Sequence, residues 1–195
     1  MQTRLIEATV VLAVLFALLG LPVSAQQTSL ETPAIEIFAG SRTEREARAV
    51  ERLASIVQRI EPISKETQWR RSLAQATFCL PQNVLGILTY AVAQAIGGVL
   101  HAGRMNEVTV VVTRLPFGVS LGRYLFVPDV MLTERAVRHE YGHTMQGYRH
   151  GPFYLLLEGV TSFAMATAAL FSPAIADGYY DRWPENEADT LGGAR

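Results

Sequence analysis

The sequence predicts a mostly helical α+β domain behind an N-terminal export segment. Long segments have apolar residues at the three- and four-residue spacing of helices, whereas one short segment, Glu107–Val127, is rich in β-branched residues. Hydrophobic residues make up 49 % of the 195 residues and charged residues only 18 %, which is enough apolar material for a buried core. The net charge of -1 and the scattered basic residues give no electrostatic reason to expect a nucleic-acid partner. The single cysteine, Cys79, excludes an internal disulfide.

The start of the chain has the composition of an export segment followed by a linker. The apolar run Ala8–Leu21 precedes small residues that suit signal peptidase, so we expect cleavage after Ala25. Glu7 weakens the positive charge expected before the apolar run, which leaves an uncleaved signal anchor as the alternative. Residues 1–25 are therefore assigned to a signal peptide or anchor, and the polar residues 26–40 to a linker. Export would place the protein at the cell membrane or in the periplasm or another extracytoplasmic compartment.

Residues 41–195 are predicted to form the folded domain, which begins with an amphipathic helix at Ser41–Ile60. Apolar residues recur in it at helical spacing between charges of alternating sign, and Ser41 is a suitable N-cap. The charged face is expected to be solvated.

Two long apolar segments follow, and both are predicted to be helical. Between Arg71 and Arg104 the sequence contains no Asp, Glu, Lys or Arg, and residues 84–100 are almost uninterrupted apolar residues. Residues 152–171 form the second segment, in which Glu158 is the only charge. Such helices either enter a membrane, which would make membrane association an expected property, or lie buried in a core. Both alternatives are open from the sequence.

The β region is predicted to be a hairpin. Its first strand is rich in valine, its second ends at Tyr124–Val127, and residues 116–118 would form the turn. Residues 119–124 would either shield the core, which we favour, or offer a strand to which an extended peptide could add.

The pentapeptide His139-Glu140-Tyr141-Gly142-His143 is the most informative motif in the chain. Thr133 is a suitable N-cap for a helix that contains the motif and runs to about Tyr148. Histidines four residues apart lie one turn apart on one face of a helix, so both rings can bind the same metal ion. Glu140 lies beside them, where it can take a proton from water that a metal has made more acidic. Gly142 lowers helix stability, which indicates that another backbone packs closely there.

A second motif near the end of the chain can complete the metal site. The segment Trp183–Asp189 contains an ExxAD pattern on a predicted helix. Glu185 would supply the third protein ligand, and Asp189, one turn later, would accept a hydrogen bond from a ligating histidine and select its tautomer. The predicted metal ligands are therefore His139, His143 and Glu185.

The two motifs together resemble the zinc site of gluzincin metallopeptidases, most closely the membrane-bound CAAX prenyl proteases and the HtpX heat-shock protease. The chain also resembles small bacterial proteins that carry HEYGHTxQ, a GPxYL segment and a terminal WxExxADxLGG stretch. The resemblance covers residues 133–193, roughly a third of the chain. It implies a minimal zincin-like domain in which the motif histidines and Glu185 bind Zn²⁺, Glu140 is the general base and Asp189 supports a ligand.

Other polar residues near the motifs have a structural and a functional interpretation. Gln146 could orient a carbonyl or a water, or could be a surface residue. Glu158 could replace Glu185 as a ligand, but a hydrogen-bonded buried acid is favoured. A hydroxyl of Tyr179 or Tyr180 could stabilise an oxyanion, although ordinary packing is favoured. Residues expected to be structural are His101, His150, Trp183 and the helix-ending pair Gly192-Gly193.

Zinc-dependent hydrolysis of a peptide bond is the function that the two motifs predict. The alternative is a membrane-associated structural or interaction protein with a non-catalytic zinc site, since a small domain leaves little room for a substrate cleft. A third possibility is hydrolysis of lipid-linked or cell-wall amides. Closed coordination by four protein ligands would favour a structural zinc, and three ligands with an open position would favour catalysis.

Overall fold

The computed structural model describes residues 41–115, 117–169 and 171–195. The predicted signal segment and linker, residues 1–25 and 26–40, lie outside the described residues. Within the described ranges, seven α-helices and one four-stranded sheet confirm the mostly helical α+β class. The helices are α1 (Arg42–Arg59), α2 (Lys65–Ala76), α3 (Leu80–Ala95), α4 (Glu134–His150), α5 (Val160–Ala169), α6 (Pro173–Asp177) and α7 (Glu185–Gly192). The strands are β1 (Val99–Met105), β2 (Val108–Thr113), β3 (Val119–Leu121) and β4 (Tyr124–Pro128).

Helix α1 begins where it was predicted to, because Ser41 caps it. The Ser41 hydroxyl accepts a hydrogen bond from the N–H of Glu44, and the Glu44 carboxylate accepts one from the N–H of Ser41. The apolar face of the helix, with Leu53 at its centre, packs on β1. From the same helix, the buried Arg45 donates two hydrogen bonds of 2.7 Å to Asp129 and so ties α1 to the end of the sheet.

The sheet has the strand order β1-β2-β4-β3, which corrects the predicted hairpin. Strands β2 and β4 are neighbours but run parallel, with Val110 opposite Leu125. The hairpin predicted around residues 116–118 is therefore wrong, because a tight turn can join only antiparallel strands. The antiparallel pairs are β1 with β2 and β3 with β4, and their turns contain positive φ angles at Asn106 (53°) and Gly122 (62°).

The first apolar segment, residues 84–100, is a helix only in part. Helix α3 ends at Ala95, and the chain turns at Gly97, whose φ is 68°, into strand β1 at Val99. The prediction of one helix over the whole segment is wrong because an apolar run that is buried in a sheet has the same composition as a buried helix. The edge strand β1 also lies outside the predicted β region for this reason.

The second apolar segment, residues 152–171, contains a break in its helical geometry. Leu155–Gly159 is a turn of π-helix, and α5 continues from it and ends at Ala169. Across the described ranges, no single helix is both long and apolar enough to span a membrane. Helices α2 and α3 meet the length and composition criteria only as a pair, and they are bent by 84°.

Apolar layers cover both faces of the sheet. One layer, which includes Val110 and Val137, lies between the sheet, α1 and α4. The other layer, which includes Val111 and Phe126, packs α3 against the sheet. Since Val110, Val111 and Val112 of β2 alternate between the two layers, the middle of this strand is apolar on both faces. Helix α4 contacts β3 and β4 as well as α7, which brings the two motif helices together.

Two glycines let α4 and α7 approach at backbone distance. A Cβ atom on Gly142 would overlap the carbonyl oxygen of Ala188, and one on Gly192 would overlap the carbonyl oxygen of Arg138. The close packing predicted at Gly142 is confirmed. Gly193, with φ of 69°, ends α7 in the left-handed conformation, as the glycine pair predicted.

Candidate metal centre

Helix α4 carries the first motif and is capped as predicted. The Thr133 hydroxyl accepts a hydrogen bond from the N–H of Ala136 at 3.1 Å. The helix continues to His150, slightly beyond the predicted end, and stops at Gly151, whose φ is 53°. This cap and this end hold the motif in the central turns of the helix, where its side chains are positioned by the packing of α4 on the sheet.

The three predicted ligands lie together in the interior. The imidazole rings of His139 and His143 have centroids 4.8 Å apart and are nearly perpendicular. Oε2 of Glu185 lies 3.0 Å from Nε2 of His139 and 3.4 Å from Nε2 of His143. The exposed fractions of the two histidines are 8 % and 7 %, and that of Glu185 is 0 %. This buried group could hold a metal ion.

The other ring nitrogen of each histidine has its own hydrogen-bond partner. Nδ1 of His139 lies 2.7 Å from Oδ1 of Asp189, the contact that the ExxAD spacing predicted. Nδ1 of His143 lies 2.8 Å from Oε1 of Gln146. The Gln146 amide is oriented by its own Nε2, which donates to the carbonyl oxygen of Pro184 at 2.9 Å. Both partners accept, so each neutral ring carries its proton on Nδ1 and a lone pair on Nε2.

Three lone-pair donors therefore converge with no proton between them. The two Nε2 atoms face the carboxylate of Glu185, and neither of its oxygens has a hydrogen-bond donor of suitable geometry among the described residues. Burying these groups against one another is unfavourable unless a positive charge lies among them. A metal cation would supply that charge, as would a proton on one of the imidazoles.

The pKa values of the same groups show that a positive charge is favourable among them. Burial alone would lower the pKa of His139, but the carboxylates of Glu185, Glu140 and Asp189 outweigh burial and raise it to about 9. The pKa of His143 is raised against burial by the same two glutamates. For Glu185, burial would raise the pKa, but the two imidazoles outweigh it and lower the pKa.

Glu140 lies beside the group and is held by the edge strand β3. The hydroxyl of Ser120 lies 2.7 Å from Oε2 of Glu140 and 2.6 Å from its backbone carbonyl oxygen. A Cβ atom on Gly118 would overlap Oε1 of Glu140, so the glycine leaves space for that oxygen. Burial raises the pKa of Glu140, against the opposing effects of His143, His139 and Ser120. The carboxyl group is thus fixed in orientation and can exchange a proton more readily than an exposed glutamate.

Ser120 was not singled out from the sequence, although residues 119–124 were predicted as a strand that shields the core or receives an added peptide. The strand is shorter than predicted, because β3 ends at Leu121; it lies at the edge of the sheet and contacts α4. No local sequence signal pairs a serine with a glutamate twenty residues later. The sequence allowed Gln146 either a role in the site or a position on the surface. Its side chain is fully buried, so the surface position is excluded.

Aromatic side chains surround the group on the side of the second motif. The ring of Tyr180 meets that of His139 edge to face at 5.3 Å, and the guanidinium of Arg135 lies 5.3 Å above the Tyr180 ring. The hydroxyl of Tyr179 lies 3.3 Å from that of Ser162. Tyr154, which the sequence did not single out as a site residue, is also buried; its burial and the charges of Glu140, Glu158 and Glu185 raise its pKa well above the usual value.

Glu158 and His150 form a separate pair. The Glu158 carboxylate is fully buried and contacts Nδ1 of His150. Burial raises the pKa of Glu158, and His150 opposes this effect. Glu158 is not a member of the group formed by His139, His143 and Glu185, which agrees with a buried acid rather than a ligand. The predicted hydrogen bond is not found, because neither Glu158 oxygen has a hydrogen-bond partner of suitable geometry among the described residues.

No model of a protein family, no curated protein and no solved structure matches the chain. The gluzincin resemblance of the two motifs therefore stays a prediction.

Proposed function

We propose that the protein is a zinc-dependent metallopeptidase, with a peptide or protein as its substrate. The observation that carries this proposal is the convergence of two imidazole lone pairs and one carboxylate oxygen beside a second, buried carboxyl group. The predicted export of the chain would place this activity outside the cytoplasm.

Zinc suits the donor atoms. Two nitrogens and one carboxylate oxygen are a donor set found in catalytic zinc sites, and three protein ligands rather than four are typical of such sites. Ligand distances of about 2.0–2.1 Å and a tetrahedral angle separate neighbouring ligand atoms by about 3.3 Å. The observed separations of 3.0 Å and 3.4 Å between Glu185 Oε2 and the two Nε2 atoms are close to this value.

The residues of the chain have distinct tasks in this proposal. When bound, zinc lowers the pKa of water and polarises a carbonyl group. Glu140 takes one proton from the attacking water as the new C–O bond forms, and it delivers a proton to the amine as the C–N bond breaks. Ser120 donates to one carboxylate oxygen of Glu140 and leaves the other oxygen, next to Gly118, for the proton. Asp189 and Gln146 hold the rings that bind the metal.

The proposal is tested by replacing Glu140 with Gln in the full chain loaded with zinc. The substitution keeps the shape but removes the base, so hydrolysis of casein should fall by about 10²- to 10⁴-fold. Zinc content, measured by elemental analysis, should stay unchanged, since Glu140 is not a member of the metal-binding group. The matched control is Glu51→Gln, an exposed carboxylate on α1, which should keep full activity.

Two results would contradict the proposal. Hydrolysis that survives Glu140→Gln would remove Glu140 as the base. A chain that binds zinc through His139 and His143 but hydrolyses neither casein nor a mixed peptide library would favour the alternative, a membrane-associated structural or interaction protein with a non-catalytic zinc.

A further inference from the structure

Helix α3 buries several polar side chains and exposes large apolar ones, unlike an ordinary helix that faces water. Its buried side contains three polar residues beside Leu85 and Ala93, and its exposed side is mostly hydrocarbon, with Gln94 as an exposed amide near the end of the helix. The buried polar residues are Gln82, Asn83 and Thr89. The exposed apolar residues are Leu80, Val84, Ile87 and Leu88, which recur at helical spacing.

Two of the inward polar residues, Gln82 and Asn83, form hydrogen bonds inside the fold. The amide of Gln82 donates to the carbonyl oxygen of Gly151, and that of Asn83 donates to the carbonyl oxygen of Gln75. Oδ1 of Asn83 accepts from the N–H of Arg123 at 2.8 Å. Rotation of α3 to hide its apolar face would break these bonds, and the exposed hydrocarbon is therefore a fixed feature of the surface.

The exposed hydrocarbon continues onto the helix that precedes α3. The exposed side of α2 carries Lys65, Glu66, Trp69 and Arg70 in its first half, and Leu73 follows them. Phe78 follows in the turn and is half exposed. A tryptophan among charged residues, followed by apolar residues, is typical of a segment that lies at the interface of a bilayer.

A third element extends the same surface. The ring of Phe78 lies against Gly151, and the Gln82 amide bonds the carbonyl oxygen of the same glycine, so the chain after α4 adjoins α3. In this chain segment, Phe153 is 66 % and Leu156 is 67 % exposed. We call the exposed residues of the three elements the apolar surface. Its members are Leu73, Phe78, Leu80, Val84, Ile87, Leu88, Phe153, Leu156 and Leu157.

We propose that the apolar surface docks into the interfacial region of a lipid bilayer, with α3 lying in the plane of the membrane. A contiguous exposed patch of this kind marks an interaction site, since soluble surfaces rarely keep one. Interfaces between proteins carry polar groups and about one hydrogen bond per 100–200 Å², whereas the members of this surface offer only hydrocarbon. The absence of Asp, Glu, Lys and Arg between Arg71 and Arg104 also suits lipid.

Docking would bring the metal centre close to the membrane. Tyr154 lies between the exposed Phe153 and the exposed Leu156 in sequence, yet it is buried, and the charges of Glu140 and Glu185 act on it. If the proposed peptidase activity holds, the substrates would be peptide segments close to a bilayer; this corollary rests on the proposed function, whereas docking itself does not.

The test measures the depth of single nitroxide probes on the full chain bound to vesicles of phosphatidylcholine and phosphatidylglycerol. The probes are attached after Ile87→Cys or Leu156→Cys, and the control probe after Val50→Cys, an exposed apolar residue of α1 outside the surface. Burial raises the pKa of the native Cys79 thiol to about 11, so it should resist labelling; the unsubstituted chain, treated in the same way, checks this. Access of oxygen, which dissolves in lipid, is compared with that of a nickel chelate, which stays in water.

On addition of vesicles, the probes at 87 and 156 should gain oxygen access and lose nickel access, while the probe at 50 keeps both. Introducing Leu88→Glu should reduce the ratio of docked to undocked chain, as reported by the probe at 156, by about tenfold. This is the effect of losing one buried leucine side chain. Val50→Glu is its matched control. The variant Glu140→Gln should dock normally, which separates docking from the proposed chemistry.

Two outcomes would overturn the proposal. Probes at 87 and 156 that stay open to the nickel chelate on vesicle-bound chain would show that the surface remains in water. Probes that are shielded equally without vesicles would show that another part of the chain, or a second copy, covers the surface in place of lipid.

Discussion

Asp189 and Gln146 determine which nitrogen of each motif histidine faces Glu185. Each accepts from Nδ1 and so directs the Nε2 lone pair to the point where the ligands converge. The i, i+4 spacing from Glu185 was enough to predict the role of Asp189. The role of Gln146 stayed open in the sequence because the carbonyl of Pro184, which orients its amide, comes from another helix.

Replacing Gln146 with Leu should weaken zinc binding by about 10- to 100-fold, the usual effect of removing the partner of a ligating histidine. The ring of His143 would lose the acceptor that selects its tautomer. Affinity is measured by competition with a chromophoric chelator. The control is Gln94→Leu, an exposed amide on α3 that donates to Tyr90, and it should leave affinity unchanged. Equal affinities of the two variants would show that Gln146 does not position His143.

At the scale of elements, the metal centre depends on how closely α4 and α7 pack. The two glycines at their crossing, Gly142 and Gly192, leave no room for a side chain. The sequence indicated a close backbone approach at Gly142 because glycine is unfavourable within a helix. It could not show which backbone approaches, since that depends on contacts between distant parts of the chain.

The helix contains a matched pair of glycines for a test. A Cβ atom on Gly142 would overlap the backbone of Ala188, whereas one on Gly147 would meet nothing within 4 Å. We expect Gly142→Ala to lower the free energy of unfolding by at least about 2 kcal/mol and to weaken zinc binding, because α7 carries Glu185. Gly147→Ala should raise the free energy of unfolding by about 0.5–1 kcal/mol.

Urea titration and the chelator competition measure these two effects. Equal stability of the two alanine variants would contradict the close approach of the helices. A destabilised Gly142→Ala variant that binds zinc normally would show that the position of Glu185 does not depend on this crossing.

At the scale of the whole molecule, the proposed zinc ion would compete with a proton for the buried position among His139, His143 and Glu185. In the metal-free protein, the raised pKa of His139, about 9, means that the folded state binds a proton there more tightly than the unfolded chain does. This stabilisation is fully present below the unfolded pKa of about 6.5 and is lost as the pH rises through 9. The zinc-loaded protein carries no proton at this position.

The free energy of unfolding of the metal-free protein should therefore fall as the pH rises from 6.5 to 9. In the zinc-loaded protein, His139 should contribute no such pH dependence. The gain in stability from saturating zinc, about 2.7 kcal/mol at a hundredfold excess over Kd, should be larger at the upper end of this range. Thermal unfolding with zinc and with a chelator at several pH values measures the difference. A zinc effect that does not change with pH, or that shrinks as the pH rises, would contradict the competition.

The sequence by itself determined the mostly helical class, the capped α1 and α4, and the two motifs whose residues form the group that could hold a metal ion. Each of these features depends on residue spacing within a few turns of a single helix, so the residue order displays it, whereas the approach of Glu185 to the two histidines depends on the packing of α7 against α4. Only the tertiary structure decided the parallel pairing of β2 and β4, the division of residues 84–100 between a helix and a strand, and the contact of Ser120 with Glu140. Each of these features depends on which distant segments pack together. Buried strands and buried helices also contain the same types of apolar residue, so composition does not distinguish them.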